Sequence, residues 1–161
     1  MKPSMVVASF MAFAPVCKAN FDVYLNRLYN LGPGGSEGHQ AWTIFDSDPS
    51  CQQVNNAITY GHYGDVSGRQ TGVRCVGDCA MEGRADGIQV LEMHFSNNPL
   101  YHWTIYKDRG YRMYGLDGKV YGECIIFPGN DYRCDALGIT TGRRKIRCLT
   151  NFTARQINAA N

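Results

Sequence analysis

The chain has 161 residues, 44% of them hydrophobic, with 16 basic and 14 acidic side chains and seven cysteines. That length suits one domain able to bury a real core, so cystines would reinforce the fold rather than replace it. A net charge of +2 excludes the large cationic excess that a general nucleic-acid binder needs.

The N-terminus reads as a secretory signal peptide over residues 1–19. Lys2 supplies a charged start, and Met5–Val16 is a weakly polar to apolar run of 12 residues. Such a run is too short to cross a bilayer core of roughly 30 Å as a helix. Ala19 and Cys17 are small residues at the first and third positions before the expected cut. A cut after Ala14 would place Pro15 just past the bond and keep an odd cysteine. A lipoprotein reading needs a small residue before Cys17, where Val16 is branched. Cleavage after Ala19 leaves a single β-rich domain, residues 20–161, with six cysteines and 14 basic against 14 acidic groups. No second apolar stretch approaches spanning length, so the expected product is secreted and extracellular.

Within that domain Phe21–Leu31 opens with alternating Phe21, Val23 and Leu25, a strand pattern. A glycine-rich loop over Gly32–Gly38 leads to a second strand at Gln40–Phe45. Asp48-Pro49 reads as an N-cap followed by proline at the first helical position, predicting a short helix from Pro49 to Ala57. Residues 61–87 are rich in Gly, Asp and Ser and read as an ordered loop region tied by cystine. Further strands are expected at Ile88–Phe95, His102–Lys107, Tyr111–Leu116, Lys119–Phe127 and Arg144–Asn151. Asp117-Gly118 between two of them predicts a hairpin with a type I′ turn. Thr153-Ala-Arg-Gln156, flanked by Phe152 and Ile157, is a capping box with a hydrophobic staple, predicting a C-terminal helix. The fold class that follows is mainly β: a single compact antiparallel β-barrel or sandwich with two short helices, stapled by disulfides.

Six cysteines, Cys51, Cys75, Cys79, Cys124, Cys134 and Cys148, permit fifteen connectivities. The favoured set is Cys124–Cys134 across a hairpin, Cys75–Cys79 as a local loop and Cys51–Cys148. A zinc site is the rival reading of Cys75-x3-Cys79, but the second pair stands nine apart and the context is oxidising, so no metal or cofactor is expected. Asp46-x-Asp48-x-Ser50 begins like a calcium loop, yet Cys51 and Ala57 stand where that loop needs Gly and Glu. Asn151-Phe-Thr153 is the acceptable N-glycosylation sequon. Residues 136–161 hold five basic groups and no acid. Arg143, Arg144, Lys145 and Arg147 among them read as a basic surface, either an anion-binding face or the solvated edge of a strand.

The strongest enzymatic candidate lies in Gly87–Lys107. Alternation sends Leu91, Met93 and Phe95 to one face and Val90, Glu92 and His94 to the other. If the next strand forms a hairpin with this one, Glu92, His94, His102 and Tyr106 share a face. Two histidines and a carboxylate on a rigid sheet suit metal-free RNA cleavage by general acid–base catalysis. Amphipathic hairpins carry such residues routinely, and that plainer reading is the commoner one. Nucleophile elbows, phosphate-cradling loops and placed carboxylate pairs are missing from the sequence. The aromatic residues concentrated in Tyr101–Tyr132 serve either as core filling or as an exposed row that would stack on sugars.

The stretch Leu91-Glu-Met-His-Phe-Ser-Asn-Asn-Pro-Leu-Tyr-His-Trp-Thr-Ile-Tyr106, continuing through Tyr114-Gly-Leu-Asp-Gly118, resembles small cysteine-rich secreted proteins of filamentous ascomycete fungi. That resemblance implies an effector or elicitor acting at a host or microbial surface, on a surface protein or polysaccharide. It carries no family active-site residues with it. The expected function is therefore non-enzymatic surface recognition, with a ribonuclease-like toxin or a carbohydrate-binding wall protein as alternatives.

Overall fold

A computed structural model describes residues 19–29, 38–135 and 138–161. The expected signal peptide up to Lys18, and the greater part of the glycine-rich loop, lie outside the described residues. Ten strands and two short helices follow in chain order: β1 (Ala19–Tyr29), β2 (Gly38–Phe45), α1 (Cys51–Asn55), β3 (Tyr60–Gly61), β4 (Gly72–Gly77), β5 (Ile88–His94), β6 (His102–Tyr106), β7 (Arg112–Gly115), β8 (Val120–Ile126), β9 (Tyr132–Asp135), β10 (Ile139–Thr150) and α2 (Ala154–Asn158).

Nine strands form one antiparallel path in the order β3-β2-β1-β10-β8-β7-β6-β5-β4. The path nearly closes on itself, because His62 after β3 bridges Val73 of β4 and the Tyr63 amide donates to the Val73 carbonyl at 3.0 Å. The mainly β, disulfide-stapled barrel anticipated from the alternation is thus the observed architecture. Its core is the inward set of that alternation: Phe21, Val23 and Leu25 from β1, Leu91 and Met93 from β5, Trp103 and Ile105 from β6 are all fully buried. Trp42, Phe95 and Met113 fill the space between them, and Ile157 of α2 packs into the same cluster. The aromatic concentration is therefore mostly core filling, with Tyr101, Tyr111, Tyr121 and Phe152 packed against the margin of the core.

The two longest pairings set the shape of the rest. β10 runs alongside β1 for its whole length, but on its other side it pairs first with β9 and then with β8. The outer halves of β1, β2 and β10, with β9, therefore make a sheet extension beyond the barrel. Val23 pairs with Ile146 and Tyr24 with Arg144, so Lys145 is the extra residue of a β-bulge where the extension begins. α1 covers one face of the extension, where Tyr24, Phe45, Val54 and Cys134 form a second, smaller core.

Several local expectations need correction. α1 starts later than Asp48-Pro49 suggested, because Ser50 and Gln53 form a reciprocal capping box. The Asp48 carboxylate is instead engaged by Arg144 at 2.8 Å and by Asn130. The Asp117-Gly118 hairpin forms, but only Gly118 has positive φ (76°), and the Gly118 amide donates to the Gly115 carbonyl. That is a three-residue loop closed by one left-handed glycine, not a type I′ turn. The region 61–87 holds β4 as well as loops, and β9 lies in a stretch read as a turn and its flank.

The disulfides are Cys51–Cys134, Cys75–Cys79 and Cys124–Cys148. The local pair is as expected; Cys124–Cys134 and Cys51–Cys148 are not. Register explains the difference. Cys124 of β8 stands directly opposite Cys148 of β10, whereas Cys134 belongs to β9, which lies beside α1 and Cys51.

Candidate functional site

The β5–β6 hairpin brings Glu92, His94 and His102 together as the alternation required. His94 and His102 are directly opposed across the hairpin, and their rings stack with centroids 4.1 Å apart and planes 8° from parallel. His94 Nδ1 lies 2.8 Å from the Val66 carbonyl, which can only accept, so Nδ1 carries the proton. His102 Nε2 lies 3.0 Å from one Glu92 oxygen, and Arg74 Nε donates to the other at 2.8 Å. Arg74 comes from β4 and stands opposite Glu92 in the sheet. It was not foreseen, because its strand is hidden among glycines.

Electrostatics fix the charge states. Burial opposes the Glu92 carboxylate, but hydrogen bonds from Arg74 and His102 outweigh it and hold its carboxyl below the usual range. Burial lowers His102, assisted by its stacked neighbour His94 and opposed by Glu92. At neutral pH His102 is thus an uncharged donor to an ionised Glu92.

What the two histidines lack is access. His94 and His102 are 3% and 4% exposed, and Glu92, at 17%, has both oxygens bonded to Arg74 and His102. Four clefts among the described residues are lined by other side chains and not by Glu92, His94 or His102. Tyr106 is not part of the group: it pairs with Val90 at the other end of the hairpin, and Arg109 stacks on its ring at 4.4 Å. Arg74, Glu92, His102 and His94 form a polar brace between β4, β5 and β6, buried at the histidines and partly exposed at Arg74 and Glu92.

The expected basic surface also fails to appear as a surface. Arg144 is buried, donating to Asp22 at 3.0 Å and Asp48 at 2.8 Å. Arg147 donates to both oxygens of the same Asp22 at 2.6 and 2.7 Å, and the two guanidinium groups pack against the Phe127 ring. Lys145 is 2% exposed, and its ammonium donates to the carbonyls of Ala80, Met81 and Gly83 at 3.0, 3.1 and 2.6 Å. Arg143 alone is well exposed, paired with Glu82 and lying 4.0 Å from Asp131. The cause is packing: Asp22 of the neighbouring β1 takes up Arg144 and Arg147, and the 80–83 loop covers Lys145, so these cations meet acids and carbonyls instead of water.

Two of four clefts among the described residues lie at the sheet extension. Neighbouring residues of β1 point to opposite faces, and each face carries a cleft. One, of about 500 Å³, is lined by Arg27, Tyr29, Thr141 and Arg143, with Met81 and Glu82 opposite. The other, of about 610 Å³, lies beside α1 and is walled by Leu28, Ala41, Thr140, Val54 and Ala57. Both volumes are in the range of small-ligand sites. Asn151 is exposed at the end of β10, compatible with carrying a glycan, while Thr153 of the sequon caps α2.

Comparison of the chain with protein-family profiles, with curated proteins and with solved structures finds no match. Among the described residues, no group of three or more His, Cys, Asp or Glu side chains is placed to hold a metal ion, and no helix is long and apolar enough to cross a membrane.

Proposed function

We propose that the protein is a secreted, non-enzymatic recognition protein of the effector or elicitor type, binding a host or microbial surface partner through its sheet extension. The observation that carries this reading is the contrast between two regions. His94 and His102 are buried in the barrel wall, and Glu92, 17% exposed, has its oxygens taken up by Arg74 and His102. The extension, by comparison, offers a cleft on each face. Three disulfides suit an oxidising compartment, and one of them frames the extension: Cys51–Cys134 holds α1 against β9.

The test is infiltration of the secreted protein into leaf tissue beside an RNA-hydrolysis assay. A tissue response retained by Glu92→Gln and lost on Leu28→Asp with Arg27→Ala supports recognition through the extension. RNA hydrolysis by the wild type that Glu92→Gln abolishes, at unchanged melting temperature, overturns it in favour of the ribonuclease.

A further inference from the structure

We propose that the cleft built on Arg27 and Tyr29 binds an acidic sugar: a polyhydroxylated ring carrying one carboxylate, as in a uronic acid. The proposal rests on the reading of the sheet extension as the binding surface and names the ligand class for one of its faces.

The charge pattern of the cleft selects this class. Three arginines border it, and two of them are already paired: Arg143 with Glu82, and Arg133 with Asp135 at 3.4 Å. Arg27 is half-buried, and among the described residues its guanidinium bonds only the Tyr29 hydroxyl, Nη1 donating at 3.1 Å. The remaining donors of that planar fork are matched by a carboxylate, which a guanidinium takes bidentately. A neutral ligand would leave Arg27 partly desolvated without an anion. A phosphorylated ligand of charge −2 or more would meet Glu82 and Asp131 in the same cleft. Those two acids instead supply acceptors for hydroxyl groups, which an aromatic or aliphatic carboxylate lacks.

The geometry of the wall points the same way. Gly38 stands opposite Tyr29 in the β1–β2 pairing. A Cβ there would come within 3.1 Å of the Arg27 stem and 3.3 Å of the Tyr29 ring. Without one, the two side chains lie side by side over the strand, placing a cation next to an aromatic ring. An aromatic ring beside a charged fork receives the C–H face of a pyranose while the fork holds its carboxylate. Thr141, directly across from Arg27 on β10, adds a hydroxyl, and Met81 and Ile139 close the apolar part of the lining.

Nuclear magnetic resonance titration of the secreted, disulfide-intact protein tests the proposal, with trigalacturonate, neutral chitotriose and pyrophosphate as probes. Trigalacturonate is expected to give saturable shifts centred on Arg27, Tyr29 and Thr141, weakening as salt rises. Arg27→Ala is expected to lower the affinity at least ten-fold, and Arg27→Lys to recover part of it, both with the wild-type melting temperature. Tyr29→Leu, which keeps the cation and removes the ring, is expected to weaken binding independently. The ligand assignment is overturned by any of three results: no saturable shift with trigalacturonate, equal affinity for chitotriose or pyrophosphate, or undiminished binding by Arg27→Ala. A wild-type tissue response without uronate binding overturns this ligand and leaves recognition through the extension standing. Uronate binding by a protein that elicits no response does the reverse.

Discussion

Asp22 and Arg144 form an ion pair at 3.0 Å in which neither side chain has appreciable contact with water, at 0% and 4% exposure. Arg147 reaches the same carboxylate from the next turn of the pleat, so one acid of β1 neutralises two cations of β10. Removing it would leave Arg144 with Asp48, itself about half exposed, as its one carboxylate partner among the described residues. Asp22→Ala is expected to destabilise the protein by about 3 kcal/mol, the low end for breaking a buried pair, because Asp48 still compensates part of the Arg144 charge. Asp22→Leu combined with Arg144→Met is expected to lose much less, because Arg147 is partly exposed and can turn to solvent. Urea denaturation of the single and double variants checks both; equal losses would contradict the ion-pair account.

The pairing of the cysteines gives a direct chemical check. Peptide mapping without reduction is expected to recover Cys51 linked to Cys134 and Cys124 linked to Cys148, with no Cys124–Cys134 species. Cys51→Ser with Cys134→Ser opens a loop closed across 83 residues and should cost about 2–5 kcal/mol. Because that bond holds α1 to β9, limited proteolysis should cut first near α1 in the double variant. Cleavage elsewhere would mean that the second core, around Val54 and Tyr24, holds α1 without the bond.

These cases show where sequence reading reached and where it stopped. The hairpins from β5 to β8 were legible because alternation is strict there and turn residues such as Asn98-Pro99 and Asp117-Gly118 separate the runs. That alternation also placed Glu92, His94 and His102 on one face. Their burial was not legible, because the cover comes from β4 and from the Val66 loop, which sit in a glycine-rich stretch without periodicity. The short β3 and β9 give no periodic signal of their own. The fate of Arg144 and Lys145 depended on what packs against β10, Asp22 of β1 and the 80–83 loop, both far away in sequence. The local Cys75–Cys79 pair was legible, but the pairing of the other four cysteines was not, being set by contacts between elements far apart in sequence.

Lys145 supplies a prediction about the loop that walls the acidic-sugar cleft. Its ammonium joins three carbonyls of residues 80–83, beside Cys79. Lys145→Met fills the space but leaves those carbonyls to find water or none, at about 1–3 kcal/mol for a buried group left unmade. Amide exchange at Met81–Gly87 should quicken while β5 and β6 stay protected. Lys145→Arg should not restore protection, since a planar fork cannot place three donors as a tetrahedral ammonium does. Full protection in either variant would show that the Cys75–Cys79 bond alone orders the loop.

Two histidines, His102 and His62, predict how stability depends on pH. Burial holds His102 below its ordinary value of 6.5, and burial does the same for His62. Unfolding returns both to that value, so between the lowered native pKa and about 6.5 the unfolded chain binds more protons than the native one. Stability must therefore rise with pH through that window and fall as the solution is acidified. Each histidine contributes a slope of up to about 1.4 kcal/mol per pH unit. Glu92 adds a second loss further down: its native carboxyl lies below 4.5, so the stability it contributes is present above that value and disappears as pH falls through the native pKa. Thermal melts from pH 7.5 to 4 should show a decline beginning near pH 6.5 in the wild type. His102→Gln keeps a donor toward Glu92 but cannot titrate, and should shallow that first limb while the part due to His62 persists. A wild-type melting temperature that stays flat from pH 7 to 5 would mean that protons reach His102 in the folded state without cost. The brace would then be open to water, and the case against catalysis at His94, His102 and Glu92 would lose its footing.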